Sequence, residues 1–160
     1  MAGLEFALIA GAFTLAVVNV TDIAIYLYKR MEVENAALVG TMRALKTCDA
    51  GYLPATVNCP GLVPAVTAAV QSTSLGNAVT LSGGTVSEGW YCVNASGVLQ
   101  YMSAASSKPA NCSAAGMAGL QPADYVLVAV TYRYVPLFAG ISVAGMFTTP
   151  VTKTAFVRML

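Results

Sequence analysis

The stretch LEFALIAGAFTLAVVNVTDIAIYLY, residues 4–28 of a 160-residue chain, decides the fold. Glu5 and Asp22 are its only charged residues, and nothing between them carries a charge. A membrane-spanning helix needs about 20 mostly apolar residues, and residues 1–21 supply that length with Glu5 as the one exception. Because a carboxylate near the start of such a helix is costly in lipid, Glu5 is a candidate functional residue.

The segment 29–46 continues the helix with a mixture of charged and apolar residues. No proline occurs before Pro54, so we predict one helix from the N-terminus to about residue 45, on the order of 65 Å long. No positive charge precedes the apolar run, unlike in a secretory signal peptide, so we expect the run to be retained in the mature protein. Four large apolar residues of the segment fall near one face at helical spacing: Met31, Leu38, Met42 and Leu45.

The remaining chain predicts a small head domain of short elements. Prolines and glycines mark a loop over residues 47–64, and a short helix follows over 62–72. Turn residues then separate three strands, which indicate an antiparallel meander, and two further strands alternate near the C-terminus. The five predicted strands are residues 78–82, 85–94, 98–103, 124–134 and 151–159. The sequence therefore predicts an α+β fold, with a long N-terminal α-helix (1–46), apolar in its first half, and a small antiparallel-sheet head (47–160).

Between the last two predicted strands, residues 137–147 form an apolar connection broken by glycines. The connection is too short to cross a bilayer. It either packs on the sheet or forms an apolar patch that is buried against a neighbouring subunit, since exposed patches of this kind mark interfaces.

The composition excludes several classes of function. Charged residues make up 9 % of the chain, against about 25 % in soluble domains. The net charge of +1 argues against a nucleic-acid partner, which needs a basic patch. The chain has no histidine, and it has no nucleophile motif, phosphate-binding loop or acid pair at useful spacing. We therefore expect no enzymatic activity and no cofactor.

Four cysteines, Cys48, Cys59, Cys92 and Cys112, all lie beyond the apolar helix. An even count in a small, loop-rich region indicates two disulfides and an oxidising compartment. Four cysteines allow three pairings, and the sequence does not choose among them; we prefer Cys48–Cys59 with Cys92–Cys112 because both closures are local. The spacings contain no CxxC unit, so we expect no metal site.

Both ends of the chain resemble a known family. The matching segments are LEFALIA (4–10), VTDIAIY (20–26), VENAALVGTMRAL (33–45), VAVTYRYVPLF (128–138) and TPVTKTAFVRML (149–160). With these segments the chain resembles the TadE-type pilin-like proteins of the tight-adherence branch of type IV pili. The resemblance implies a type IV pilin-like fold and a prepilin peptidase that removes a leader and leaves a glutamate fifth in the mature chain. Glu5 is fifth if Met1 is the mature first residue.

The resemblance also gives Glu5 a role. In a bundle of identical helices Glu5 would be buried, and a buried charge is tolerated when it is paired. We expect it to pair with the α-amino group of Met1 on a neighbouring subunit and so to fix the axial register of subunits. The alternative is that Glu5 lies at the membrane interface, or is a first-turn acid favoured by the helix dipole.

Asp22 is the second acid of the run, and its helical neighbours carry no positive charge. Lys29 and Arg30 lie two turns further on and are candidates to pair with Asp22 from an adjacent subunit. The alternative, which we favour slightly, is that Asp22 is solvated at the membrane–water boundary. Lys29 and Arg30 would ordinarily mark the cytoplasmic side, which conflicts with disulfides later in the chain, so the charge rule does not set the orientation.

These expectations describe a structural subunit without catalysis. The helix would anchor the chain in the inner membrane and then form the core of an extracellular pilus filament, used for adhesion or surface attachment. The expected partners are further copies of the chain, other pilins, prepilin peptidase, the inner-membrane assembly machinery and, before assembly, the membrane. Two alternatives are a minor pseudopilin at the tip or base of the pilus and a membrane-tethered extracytoplasmic binding module.

Overall fold

The computed structural model describes residues 2–147 and 149–160, without the side chains of Ala2 and Ala50. Helix α1, Ala2–Thr47, is one continuous helix of 46 residues, about 70 Å long. The prediction of a single N-terminal helix is therefore confirmed, and the helix ends two residues later than expected. Two shorter helices follow, α2 (Ala55–Asn58) and α3 (Leu62–Gln71), the second close to the predicted bounds.

The head contains one five-stranded antiparallel sheet. Its strands are β1 (Val79–Leu81), β2 (Ser87–Val93), β3 (Leu99–Ala104), β4 (Ala123–Tyr132) and β5 (Val151–Arg158). Strand β4 is central: it pairs with β5 along one edge, from Tyr125 opposite Arg158 to Tyr132 opposite Val151. Along its other edge it pairs first with β2 and then with β1, and β3 lies outside β2. The layout of a long apolar helix followed by a small antiparallel sheet is the α+β fold predicted above.

The predicted meander is wrong in one respect, because β1 pairs with β4 and not with β2. The turn at Ser82–Gly84 contains two glycines with φ of 70°, and it does not reverse the chain. Strands β1 and β2 therefore run in the same direction along one edge of β4. The β2–β3 hairpin is as expected, and its turn is closed by Asn94, whose Oδ1 accepts hydrogen bonds from the N–H groups of Ser96 and Val98 at 3.0 Å.

The core lies between the sheet and the second half of α1, with α3 beside it. Strand β4 faces this core with the alternating residues Val126, Val128 and Val130, which are fully buried, as its sequence pattern predicts. The buried side chains of the two helices are mostly small or β-branched: Val33, Ala36, Ala37 and Ala44 from α1, and Val66 and Val70 from α3.

Small residues let α1 approach the sheet closely. A Cβ atom at Gly40 would lie 2.8 Å from Cγ1 of Val128 and 2.9 Å from Cγ2 of Val70, closer than two carbon atoms can pack. The larger apolar residues of this half of the helix do share a face, as predicted, but that face points away from the sheet. Met31, Leu38, Met42 and Leu45 are all exposed.

Two disulfides fasten the loops of the head. Cys48–Cys59 joins the end of α1 to the end of α2, with a Cα–Cα distance of 5.9 Å. Cys92–Cys112 joins β2 to the long connection before β4, with a Cα–Cα distance of 5.7 Å. This is the local pairing preferred from the sequence. Both bonds lie in the head, beyond the apolar half of α1, which suits a head in an oxidising compartment.

Candidate functional site

The first half of α1 projects from the head with its apolar side chains uncovered. Helix α1 is long and apolar enough to cross a membrane, and only 6 % of its most apolar 18-residue window is buried in the fold. A core helix of a soluble domain would have such a window mostly buried. The apolar half of α1 therefore suits membrane anchoring, as its composition predicts.

A line of large apolar residues runs along the side of α1 that faces away from the head. We call it the outward stripe; its members are separated by three or four residues or by sums of these steps, and each is between 43 and 74 % exposed. Residues three and four apart lie on one helix face, so the line is continuous along nearly the whole helix. The outward stripe consists of Phe6, Ile9, Phe13, Val20, Leu27, Met31, Leu38, Met42 and Leu45.

The opposite side of α1 is held by a segment of the head that we call the clasp loop, residues 135–147. Asp22 is fully buried, and its carboxylate oxygens accept hydrogen bonds from the backbone N–H groups of Leu137 (3.0 Å) and Phe138 (3.1 Å). Hydrogen bonds to a charged group are stronger than neutral ones. Asp22 therefore fastens the start of the clasp loop to the helix.

Further contacts one turn to either side complete the clasp. Asn19 accepts a hydrogen bond from the N–H group of Val143 at 2.8 Å, and the hydroxyl of Tyr134 donates to the backbone carbonyl of Asp22 at 3.1 Å. Burial, together with the nearby Asp22 carboxylate, raises the pKa of Tyr134, so the phenol keeps its proton. The ring of Tyr26 packs between those of Tyr134 and Phe147, with centroid distances of 5.1 and 4.6 Å.

This arrangement corrects two expectations. Asp22 is not solvated, because residues of its own chain bury it and donate hydrogen bonds to it. Of the two alternatives for the connection 137–147, packing on the sheet is wrong: the connection packs on α1, where Ala144 is buried, while Leu137, Ile141 and Met146 are exposed. Burial of this apolar surface against a neighbouring subunit stays a prediction. Both corrections have one cause. Backbone N–H groups of the loop have no partners in regular secondary structure, and the side chains of Asn19 and Asp22 accept hydrogen bonds from them.

The other charged residues of α1 are placed as follows. Glu5 lies on the exposed first half of the helix, and Met1, its proposed partner on a second copy, lies outside the described residues. Lys29 pairs with Glu32 at 2.9 Å within the chain, and Arg30 is exposed. The Glu5–Met1 pair and an intersubunit contact of Lys29 or Arg30 with Asp22 stay predictions, although Asp22 already has partners in its own chain.

The structure also brings together two acids that are far apart in sequence. Glu88 on β2 accepts hydrogen bonds from the N–H groups of Ala55 and Thr56, both at 2.7 Å, and from the Thr56 hydroxyl at 2.6 Å. Asp124 on β4 is 1 % exposed, and its Oδ1 has no hydrogen-bond partner in the described part of the chain. Burial, followed by the charge and hydrogen bond of Glu88, raises the pKa of Asp124 to about 7.

This acid pair joins α2 to the sheet. Glu88 supplies acceptors to the free N–H groups at the start of α2, and its nearby charge favours the protonated form of Asp124. Sequence reasoning missed the pair because 36 positions separate the two acids and only the pairing of β2 with β4 brings them together. In residues 2–147 and 149–160 no group of three or more metal-ligating side chains converges.

Comparison with known proteins identifies no family for the chain: no family model, no curated protein and no solved structure matches it. The class of protein is therefore described by its architecture, that is, by its fold and the two faces of α1. It has an N-terminal helix suited to membrane anchoring and a disulfide-bonded α+β head suited to an oxidising environment. The helix carries one face for the head and a second apolar face that the fold does not cover.

Proposed function

We propose that this chain is a structural, pilin-like subunit that polymerises through α1 into an extracellular filament of the tight-adherence type IV pilus kind. The filament would serve adhesion or surface attachment. The observation that carries the proposal is the length of the outward stripe. The stripe extends from Phe6 to Leu45, about 58 Å along the helix at 1.5 Å per residue.

A bilayer covers only part of that length. Its hydrocarbon core is about 30 Å thick, so lipid covers the stripe to about Thr21. The upper members of the stripe, from Leu27 to Leu45, then lie beside the head in water, where an apolar line of this length marks an interaction surface. Steps of three and four residues are the spacing by which helices pack against each other. A protein partner with a helix therefore suits the upper stripe.

A second copy of the chain is the partner we propose. Every copy presents the same stripe on the side opposite its head, so copies can pack through their helices while the heads remain outside. Glu5 lies on the exposed half of α1, and in a bundle of helices it would need a cation. The α-amino group of Met1 on a neighbour is that cation in our proposal, and the resemblance of the chain ends to TadE-type pilins supports it.

The proposed life cycle follows from the two environments of the helix. Prepilin peptidase would process the N-terminus, and α1 would hold the subunit in the inner membrane with the disulfide-bonded head outside the cytoplasm. The assembly machinery would then transfer α1 from lipid into the filament core, where neighbouring helices replace lipid around the stripe. Other pilins would join the same polymer.

Electron microscopy of sheared surface material tests the proposal, with immunogold label against the head. Cells would carry the wild-type chain, Glu5→Ala, Leu38→Gln or Val57→Gln. Leu38 (51 % exposed) belongs to the upper stripe, whereas Val57 on α2 (74 % exposed) is an exposed apolar residue outside it. We expect label along the wild-type and Val57→Gln fibres, and loss of fibres with Glu5→Ala and with Leu38→Gln.

Other outcomes would decide between the alternatives. Label confined to fibre ends would make the chain a minor pseudopilin. Label that stays in the cell envelope and is the same for all four chains would refute polymerisation and favour a tethered binding module. The Leu38 variant separates failed assembly from failed membrane insertion, because its substitution lies above the segment that lipid covers.

A further inference from the structure

We infer that the clasp loop is a second membrane-contacting element, which lies in the interfacial region of the bilayer beside α1 and rests the head on the lipid surface. The inference depends on membrane anchoring by α1 but not on polymerisation. The surface involved is the exposed side of residues 135–147, and the occupant we assign to it is lipid.

The position of the clasp along the helix gives the first argument. Residues 3–21 measure about 28 Å in helical form, which matches a hydrocarbon core of about 30 Å. The clasp loop is attached at Asn19, Asp22 and Tyr26, over about 10 Å of helix that begins where the hydrocarbon ends. Headgroups add roughly 5–8 Å on each side of the core, so the loop lies at their level.

The chemistry of the loop gives the second argument. No charged residue occurs from Val135 to Pro150, and the loop turns several large apolar side chains outward. These are Val135, Leu137, Phe138, Ile141, Val143 and Met146. Apolar segments bury such side chains about 5–10 Å into the boundary between headgroups and acyl chains.

The flanking residues match a bilayer boundary as well. Tyr28, which is 54 % exposed, and the partly buried Tyr26 lie next to the clasp or at it, and tyrosine is enriched at membrane interfaces. The first cations beyond the clasp, Lys29 and Arg30, are about 10–12 Å further along the helix than Asp22. At that height they lie just beyond the headgroup zone, so no cation of the helix lies at headgroup level.

The backbone of the loop is suited to this depth. Irregular backbone is tolerated near hydrocarbon only where its polar groups are satisfied. Asp22 accepts from the N–H groups of Leu137 and Phe138, and Asn19 accepts from that of Val143. The loop can therefore present its side chains to lipid while these donors stay bonded to the helix.

Lipid fits this surface better than a second copy does. The clasp loop lies on the same side of α1 as the head, whereas the outward stripe lies on the opposite side. A neighbour that packs on the stripe leaves the clasp loop uncovered, so the two surfaces need different partners. Lipid at the foot of the head supplies the second partner without competing for the first.

Fluorescence quenching in vesicles tests the inference on the full-length chain. Tryptophan would be introduced at Met146 (85 % exposed, clasp loop), at Val57 (74 % exposed, far end of the head) or at Phe13 (in the span). Trp90 is buried in the head and adds a constant background. The vesicles would contain phosphatidylcholine with bromine on the acyl chains, or the same lipid without bromine.

We expect brominated lipid to reduce the emission of Met146→Trp about twofold, as for a side chain at the acyl boundary. The emission of Phe13→Trp should fall at least as much, and that of Val57→Trp should not change. The inference would be overturned if bromination changed the emission of Met146→Trp no more than that of Val57→Trp. A blue shift of Met146→Trp without quenching would also overturn it, because another protein copy would then cover the loop. Loss of quenching at Phe13→Trp would overturn membrane anchoring itself, whatever fibres the cells form.

Discussion

Replacing Asp22 by alanine should release the clasp loop while the head stays folded. Asp22 is the acceptor for two backbone N–H groups, those of Leu137 and Phe138, at 3.0 and 3.1 Å. Each hydrogen bond to a charged group contributes about 1.5–3 kcal/mol. The sum of about 3–6 kcal/mol is an upper limit, because the two bonds share one carboxylate and their contributions do not simply add. We therefore expect local opening to become easier by about 2–4 kcal/mol.

Amide hydrogen exchange measures this opening directly. A change of 1.4 kcal/mol is tenfold in an equilibrium constant, so exchange at residues 137 and 138 should accelerate by about 30- to 1000-fold in Asp22→Ala. The measurement uses the full-length chain in nanodiscs. Strand β4 of the same sample is the internal control, since its amides should exchange only with global unfolding.

Two milder variants make the test quantitative. Asp22→Asn keeps one acceptor oxygen, so it should protect one of the two amides and give an intermediate rate. Asn19→Ala should accelerate exchange at Val143 and leave residues 137 and 138 closer to wild type. Unchanged exchange at 137 and 138 in Asp22→Ala would refute the clasp, and an equal acceleration in β4 would show that Asp22 stabilises the whole head instead.

Two further variants test the packing of the head. Gly40→Ala places a methyl group 2.8 Å from Cγ1 of Val128, and this overpacking should lower the free energy of unfolding by about 1–3 kcal/mol. The change is read from the midpoint of thermal or denaturant unfolding. Gly11→Ala is the control: a Cβ atom at Gly11 would have nothing within 4 Å, so this variant should not lower the free energy of unfolding. Asp124 has its pKa raised to about 7 beside Glu88, so its folded form holds a proton that the unfolded chain releases above about pH 4. Its contribution to stability is thus complete below about pH 4 and declines up to about pH 7. Asp124→Asn should gain stability relative to wild type on going from pH 4 to pH 8, by about 1–3 kcal/mol, and a difference independent of pH would refute the assignment.

The regular elements of the fold could be predicted because local sequence determines them. The absence of proline before Pro54 allowed one long helix, and alternating valines marked β4 as a half-buried strand. The order of the strands could not be predicted in the same way. A Gly-Gly turn is typical of chain reversal, yet the turn at residues 82–84 continues the chain along the same edge of β4. Both β1 and β2 pair with the ten-residue strand β4 and not with each other.

The clasp was hidden from the sequence for a different reason. Asp22 and the N–H groups that it binds are more than 110 positions apart, and a backbone donor has no sequence signature. The sequence did mark Asp22 as an acid in an apolar helix, which predicts that it has a partner. A cationic side chain was the partner to look for, whereas two backbone amides satisfy the carboxylate here.

The face of α1 that packs on the head could not be assigned from hydrophobicity, and the reason connects fold with function. An amphipathic helix of a soluble domain buries its large apolar residues, but α1 buries Ala36, Ala37 and Gly40 and exposes Leu38 and Met42. The small residues are needed because the helix lies close to β4. The large residues stay more than half exposed beside the head, and in water they favour association or insolubility. Their presence on the uncovered side supports our proposal that a second apolar partner packs along the upper half of α1, opposite the head.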